Sequence, residues 1–140
     1  MSVNPGLVVT HGDLGTALIR LAELIMGPVE GLDCLSNHGL SGHELNTRIQ
    51  EWLANDAAAT AEGVVVFVDD FGGSCATGAQ LASHNRSDVV ILSGVNLAMI
   101  LGFLTWRDTL ELSELARKLV ETGRGAINRI EICEGGENPA

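Results

Sequence analysis

Lysine is almost missing from this chain of 140 residues. Lys118 is the only one, and 8 basic residues face 18 acidic ones, for a formal net charge of −10. Sequence-independent binding to nucleic acid needs clustered Lys and Arg to displace counterions, and no cluster exists here. The same shortage disfavours an anionic membrane surface, whereas a basic protein partner suits the field. Cysteine is scarce and odd in number: Cys34, Cys75 and Cys133. Without CxxC or CxxH spacing, neither a disulfide framework nor a structural zinc site is expected. No basic stretch followed by an apolar core opens the chain, so no signal peptide is visible and a cytoplasmic location is expected. The one long uncharged stretch, 89–106, is interrupted by Ser93-Gly94-Val95-Asn96. A strand, a turn and a buried helix explain it better than a membrane span, which needs about 20 apolar residues. Charged residues make up only 19% against 46% hydrophobic, which excludes intrinsic disorder. The 17 glycines follow no Gly-X-Y period. No internal repeat or linker divides the chain. The expectation is one domain over 1–133 and a frayed tail over 134–140, large enough to hold a core without disulfide or metal.

Strand-like and helix-like segments alternate. Gly6-Leu7-Val8-Val9-Thr10 is a short β-rich run. Leu14, Ala17, Leu18, Leu21, Ala22 and Ile25 then recur at helical spacing up to Gly27-Pro28. A weaker strand is expected over 29–35. Ser41 and Glu44 have capping-box spacing before the stripe Leu45, Ile49, Trp52 and Leu53. Val64 to Val68 is a continuous apolar run, as in a strand buried on both faces. A helix over 75–85, a strand over 89–92 and an Asn96-capped helix over 97–106 follow. Leu112, Leu115, Ala116, Leu119 and Val120 mark another helix, expected to end at Gly123. The stretch 126–133 reads as a last strand with little room for a crossover. It would pair antiparallel at an edge or reach to a second subunit. The whole is a doubly wound α/β fold, a mostly parallel sheet with helices on both faces.

In such a sheet, ligands bind beyond the carboxyl ends of the strands where strand order reverses. The common order sets the first and third strands side by side there. His11 follows the first and Asp69 ends the third, so the topology brings an imidazole and a carboxylate together. Gly12 and Gly72-Gly73-Ser74 open helices, whose N-termini offer unpaired N–H groups to an anion. A carboxylate on one ring nitrogen fixes the tautomer and leaves the other as a nucleophile. These features describe a histidine able to carry a phosphoryl group.

Four motifs occur in order over nearly the whole chain: Val8-Val9-Thr10-His11-Gly12, then Val66-Phe67-Val68-Asp69-Asp70-Phe71-Gly72-Gly73-Ser74, then Ser93-Gly94-Val95-Asn96-Leu97-Ala98-Met99, then Val120-Glu121-Thr122-Gly123-Arg124. The set resembles the mannose-class IIA domains of the bacterial sugar phosphotransferase system. That resemblance implies that His11 receives a phosphoryl group on Nε2 from HPr and passes it to a IIB protein. It implies that Asp69 orients the ring, and that Ser74 and the backbone near Gly12, Gly72 and Gly73 hold the phosphoryl oxygens. It also implies a homodimer that exchanges a C-terminal strand, a role 126–133 would suit, and needs no cofactor and no metal. The chain departs from the pattern at Cys75, where the family often has proline, and at Asn96-Leu97-Ala98-Met99, where it often has Asn-Ile-Pro-Met. Neither change removes a reactive group. No IIB domain follows, so a separate acceptor is expected.

Plainer readings stand beside this one. Ser74 could be only a helix N-cap. Asp69 or Asp70 could cap the Gly-Gly turn. His38, His43 and His84 read as surface residues, and Trp52 and Trp106 as core or interface. Cys75 opens a helix, where a thiol pKa can fall, but packing explains it better. A serine hydrolase using Ser74 lacks the final glycine of G-x-S-x-G. A receiver domain phosphorylated on aspartate needs acidic residues after the first strand, where only Asp13 stands. A regulatory interaction module would keep the fold without transfer.

Overall fold

The structure is a computed structural model that describes residues 3–133. A four-stranded, wholly parallel sheet is ordered β2-β1-β3-β4, from β1 (Gly6–Thr10), β2 (Leu32–Ser36), β3 (Val64–Val68) and β4 (Val89–Leu92). The helices are α1 (Leu14–Met26), α2 (Gly42–Leu53), α3 (Asp56–Thr60), α4 (Ser74–Ala82), α5 (Leu97–Trp106) and α6 (Leu112–Gly125).

The period-two pleat divides the apolar runs between two cores. Val8, Val65 and Phe67 face α1, α5 and α6 with Ile19, Ile100, Phe103, Leu115 and Leu119. Leu7, Val9, Val64, Val66 and Val68 face α2, α3 and α4 with Leu45, Ile49, Leu53 and Ala79. This explains why both central strands read as unbroken hydrophobic runs. Each fully buried Val, Leu or Phe contributes about 1.5–3 kcal/mol. The Ser41–Glu44 capping box forms in both directions, and the Asn96 side chain accepts from the Met99 N–H. The 89–106 stretch resolves into strand, turn and helix. Among the described residues no helix is long and apolar enough to cross a membrane.

Several boundaries differ from the expected ones. β2 starts three residues later than expected, because Gly31 turns the chain with φ +68°. α4 ends at Ala82 rather than at residue 85, and α3 was not foreseen. Gly123 does not end α6; it lies inside it, where a Cβ would come within 2.6 Å of Met99 Cγ. Glycine there serves close helix approach rather than termination. The expected antiparallel last strand is not formed within this chain: 126–133 follows α6 without pairing, and Ile127, Ile130 and Ile132 are exposed. The tail expected to fray, 134–140, lies outside the described residues.

Trp52 and Trp106 are half-buried. The Trp52 indole donates to Asp33 at 2.8 Å, and the sole lysine stands 4.5 Å over the Trp106 ring.

Candidate functional site

Because β1 and β3 are neighbours, the residues just past their carboxyl ends meet. Thr10 is buried, and its hydroxyl accepts the Gly15 N–H at 3.0 Å, which pins the β1–α1 turn. Gly12 turns that loop with φ +57°. His11 is thereby presented beside Asp69. A single carboxylate oxygen, Asp69 Oδ2, accepts the His11 backbone N–H at 2.9 Å and lies 2.8 Å from Nδ1. Burial alone would raise the Asp69 carboxyl; the backbone and ring hydrogen bonds from His11, with its charge, outweigh that and hold it below its ordinary value of 3.8. An ionised carboxylate only accepts hydrogen bonds, so this network assigns the ring hydrogen to Nδ1 and leaves the lone pair on Nε2. The imidazole side chain is 51% exposed while that of Asp69 is 14% exposed. The ring is half-exposed; the carboxylate beside it is mostly buried.

The β3–α4 loop supplies the other side. Gly72 has φ +145°, a conformation that favours glycine. Gly73, not Ser74, is the N-cap of α4 and makes no side-chain cap bond, so the capping role expected of Ser74 falls to Gly73. The Asp70 carboxylate folds against Gly73, where a Cβ would sit 3.0 Å from Oδ2. The first backbone bond of α4 runs from Thr77 to Gly73, which leaves the preceding N–H groups of Ser74, Cys75 and Ala76 at the helix start. Ser74 is exposed. Among the described residues the His11 side chain bonds to Asp69 and approaches Cys75, not Ser74, so the hydrolase arrangement is not assembled.

Cys75 is fully buried, with Sγ 3.9 Å from His11 Nδ1. A helix start does not lower its pKa here. Burial first, then the Asp69 and Asp70 charges, push the thiol up to about 11. Nδ1 of His11, an Asp69 oxygen and Cys75 Sγ lie within 4.8 Å of one another, so these are donors that could hold a metal. His38, His43 and His84 are exposed and take no part.

The family model EIIA-man, described as the PTS system fructose IIA component, matches residues 6–120. The chain belongs to this family. It is therefore a IIA component of the phosphotransferase system, of the mannose class. It is 29% identical over 124 residues to the PTS system mannose-specific EIIAB component of Escherichia coli (strain K12), matching over 87% of its own length. It spans only 38% of that relative's length. It is 30% identical to YadI of the same strain, provisionally named a phosphotransferase enzyme IIA component, over 89% of this chain and 86% of YadI. In fold it is similar to the phosphotransferase system component EIIA from Streptococcus agalactiae, with TM-score 0.79 and 21% identity over 89% of this chain and 95% of that one.

Sequence reading did not single out two features of this IIA component. Phe71 is 86% exposed beside the site and lines two grooves of about 350 and 440 Å³ that flank β4. The contact of Cys75 with the imidazole was likewise invisible, since no local spacing links residues 11 and 75. A further cavity of about 540 Å³ opens at the opposite end of the sheet, among Glu62, Asp88 and Glu111, away from the His11–Asp69 pair.

Proposed function

We propose that this IIA component carries a phosphoryl group on Nε2 of His11, accepted from HPr and passed to a IIB partner. The observation that supports this most is the two-point hold of Asp69 Oδ2 on His11, through the backbone N–H at 2.9 Å and Nδ1 at 2.8 Å. The Nε2 lone pair attacks phosphorus in line. The P–N bond of the phosphohistidine donor breaks, and its electron pair returns to the donor imidazole. The His11 ring gains positive charge as the new P–N bond forms, and the Asp69 carboxylate offsets it. The N–H groups at the start of α4, the Ser74 hydroxyl and the backbone at Gly12, Gly72 and Gly73 hold the phosphoryl oxygens. Transfer to the acceptor is the same step reversed. No cofactor or metal enters it.

The site belongs on this reading to a cytoplasmic homodimer. β4 is an edge strand with half-buried Val89, Val90 and Ile91, and the exposed Ile127, Ile130 and Ile132 follow α6. Exchange of 126–133 between subunits would cover both.

The test is phosphorus NMR of the protein after incubation with phosphoenolpyruvate, Enzyme I and HPr. A phosphohistidine signal of the Nε2 isomer, discharged on adding a cognate IIB protein, supports the proposal. A signal from the Nδ1 isomer, or a label that no IIB protein removes, contradicts it.

A further inference from the structure

Three different donors converge beneath the imidazole, from the ends of β1 and β3 and the first turn of α4. His11 Nδ1 lies 2.8 Å from Asp69 Oδ2 and 3.9 Å from Cys75 Sγ. All three donor atoms fall within 4.8 Å of one another. Zinc bonds of about 2.0–2.3 Å in a tetrahedral site set neighbouring ligand atoms roughly 3.4–3.6 Å apart. The Nδ1–Sγ separation is within about half an ångström of that spacing, and the Asp69 oxygen, within 4.8 Å of both, closes the remainder by turning its carboxylate. The set is one imidazole, one thiol and one carboxylate. Thiolate and imidazole select zinc-class ions over magnesium or calcium. The other Asp69 oxygen, Oδ1, is buried without a hydrogen-bond partner, so the carboxylate has acceptor capacity to spare.

We propose that His11, Asp69 and Cys75 form a site for one zinc-class divalent cation, and that the bound ion moves the ring hydrogen from Nδ1 to Nε2. The regulatory meaning of this site rests on the reading of His11 as the phosphoryl carrier. The proton count decides the effect. The ion takes the Nδ1 lone pair, and a neutral imidazole keeps one hydrogen, which then sits on Nε2. That nitrogen no longer has a lone pair with which to attack phosphorus. Cys75 binds as thiolate and gives its proton to solvent, so one proton is released per ion and nothing is oxidised. Water completes the coordination. The metal form is a brake on the acceptor, and a chelator releases it. The sequence reading expected no metal because the ligands stand at positions 11, 69 and 75, a spacing with no local signature.

The test uses full-length protein stripped of metal, with Cys34→Ser and Cys133→Ser so that Cys75 is the only thiol. Cobalt(II) is titrated first, then zinc. The expected result is one ion per chain, with a thiolate-to-cobalt charge-transfer band that zinc displaces. Cys75→Ser and Cys75→Ala lose the band and bind zinc more than about tenfold more weakly, at the near-UV circular dichroism of the parent. Nitrogen-15 NMR of His11 places the hydrogen on Nδ1 without metal and on Nε2 with one equivalent of zinc. Phosphorylation stops with zinc and returns with chelator. A band that survives in both Cys75 variants, or a hydrogen that stays on Nδ1 in the zinc-saturated protein, overturns the proposal. If the band and the proton shift appear but metal-free protein takes no phosphoryl group, the metal site is supported and the carrier reading fails.

Discussion

Replacing Asp69 with asparagine probes the hold on His11 most sharply, because the shape is kept and the charge removed. In the parent, one oxygen accepts the backbone N–H at 2.9 Å and faces Nδ1 at 2.8 Å. An asparagine has two ways to sit. With its oxygen toward His11, its NH₂ group lies where Oδ1 is now buried without a partner. Two unpaired donors there cost about 1–3 kcal/mol. With its NH₂ toward His11, it donates to Nδ1 and forces the hydrogen onto Nε2, the wrong tautomer. In either pose the positive charge that develops on the ring loses a charged acceptor, about 1.5–3 kcal/mol. Together these slow phosphoryl acceptance by roughly 10²–10⁴-fold. The assay is rapid-quench transfer from phosphorylated HPr, read by intact mass, on protein whose thermal unfolding shows it is folded. A folded Asp69→Asn protein that accepts phosphate within about threefold of the parent rate would refute the reasoning.

The same pair sets an acid limit. The Asp69 carboxyl is lowered in the folded state, so its contribution to stability is complete above the unfolded value near 3.8 and is lost as pH falls through the lower folded value. The stability gap between parent and Asp69→Asn, from urea titrations, should close as pH falls below about 4; a gap that persists unchanged into that range would contradict the sign. Arg86 binds Asp88 with two nitrogens at 2.7 and 2.8 Å and donates to the Leu53 and Ala58 carbonyls. Arg86→Ala should therefore destabilise by about 3 kcal/mol and lower the melting temperature by roughly 6–12 °C in calorimetry; a shift under about 2 °C would show that this tie carries little. Ser74→Ala should slow transfer about tenfold without abolishing it, since one hydroxyl donor is lost among several N–H groups; complete loss would revive a nucleophilic serine. On the proposed exchange of 126–133, removing 127–140 should halve the mass seen in light scattering, and an unchanged mass would contradict that exchange.

The meeting of His11 and Asp69 was legible because both residues follow strands that announce themselves. Gly6–Thr10 and Val64–Val68 are apolar on both faces, and a doubly wound sheet sets such strands side by side. His11 and Asp69 then meet whatever the side chains elsewhere. Features that depend on packing across the sequence were not legible. Gly123 is a helix breaker by propensity, yet it stays helical because α6 needs a residue without Cβ against Met99. The five-residue α3 is too short to show a period, and it holds through the Asn55 cap and buried Ala58. Cys75 was read as a packing residue and is fully buried, but its contact with the His11 ring, across 64 residues of chain, was not legible. The last strand could not be settled because its alternating pattern is equally suited to an edge of its own sheet or to a neighbour's.

The most direct test of the central claim is incubation with phosphoenolpyruvate, Enzyme I and HPr, followed by intact mass of parent and His11→Ala. A gain of one phosphoryl group in the parent, acid-labile and base-stable and absent from the variant, is the predicted result. No gain on folded protein with cognate HPr, or an equal gain on His11→Ala, would contradict a carrier built on His11.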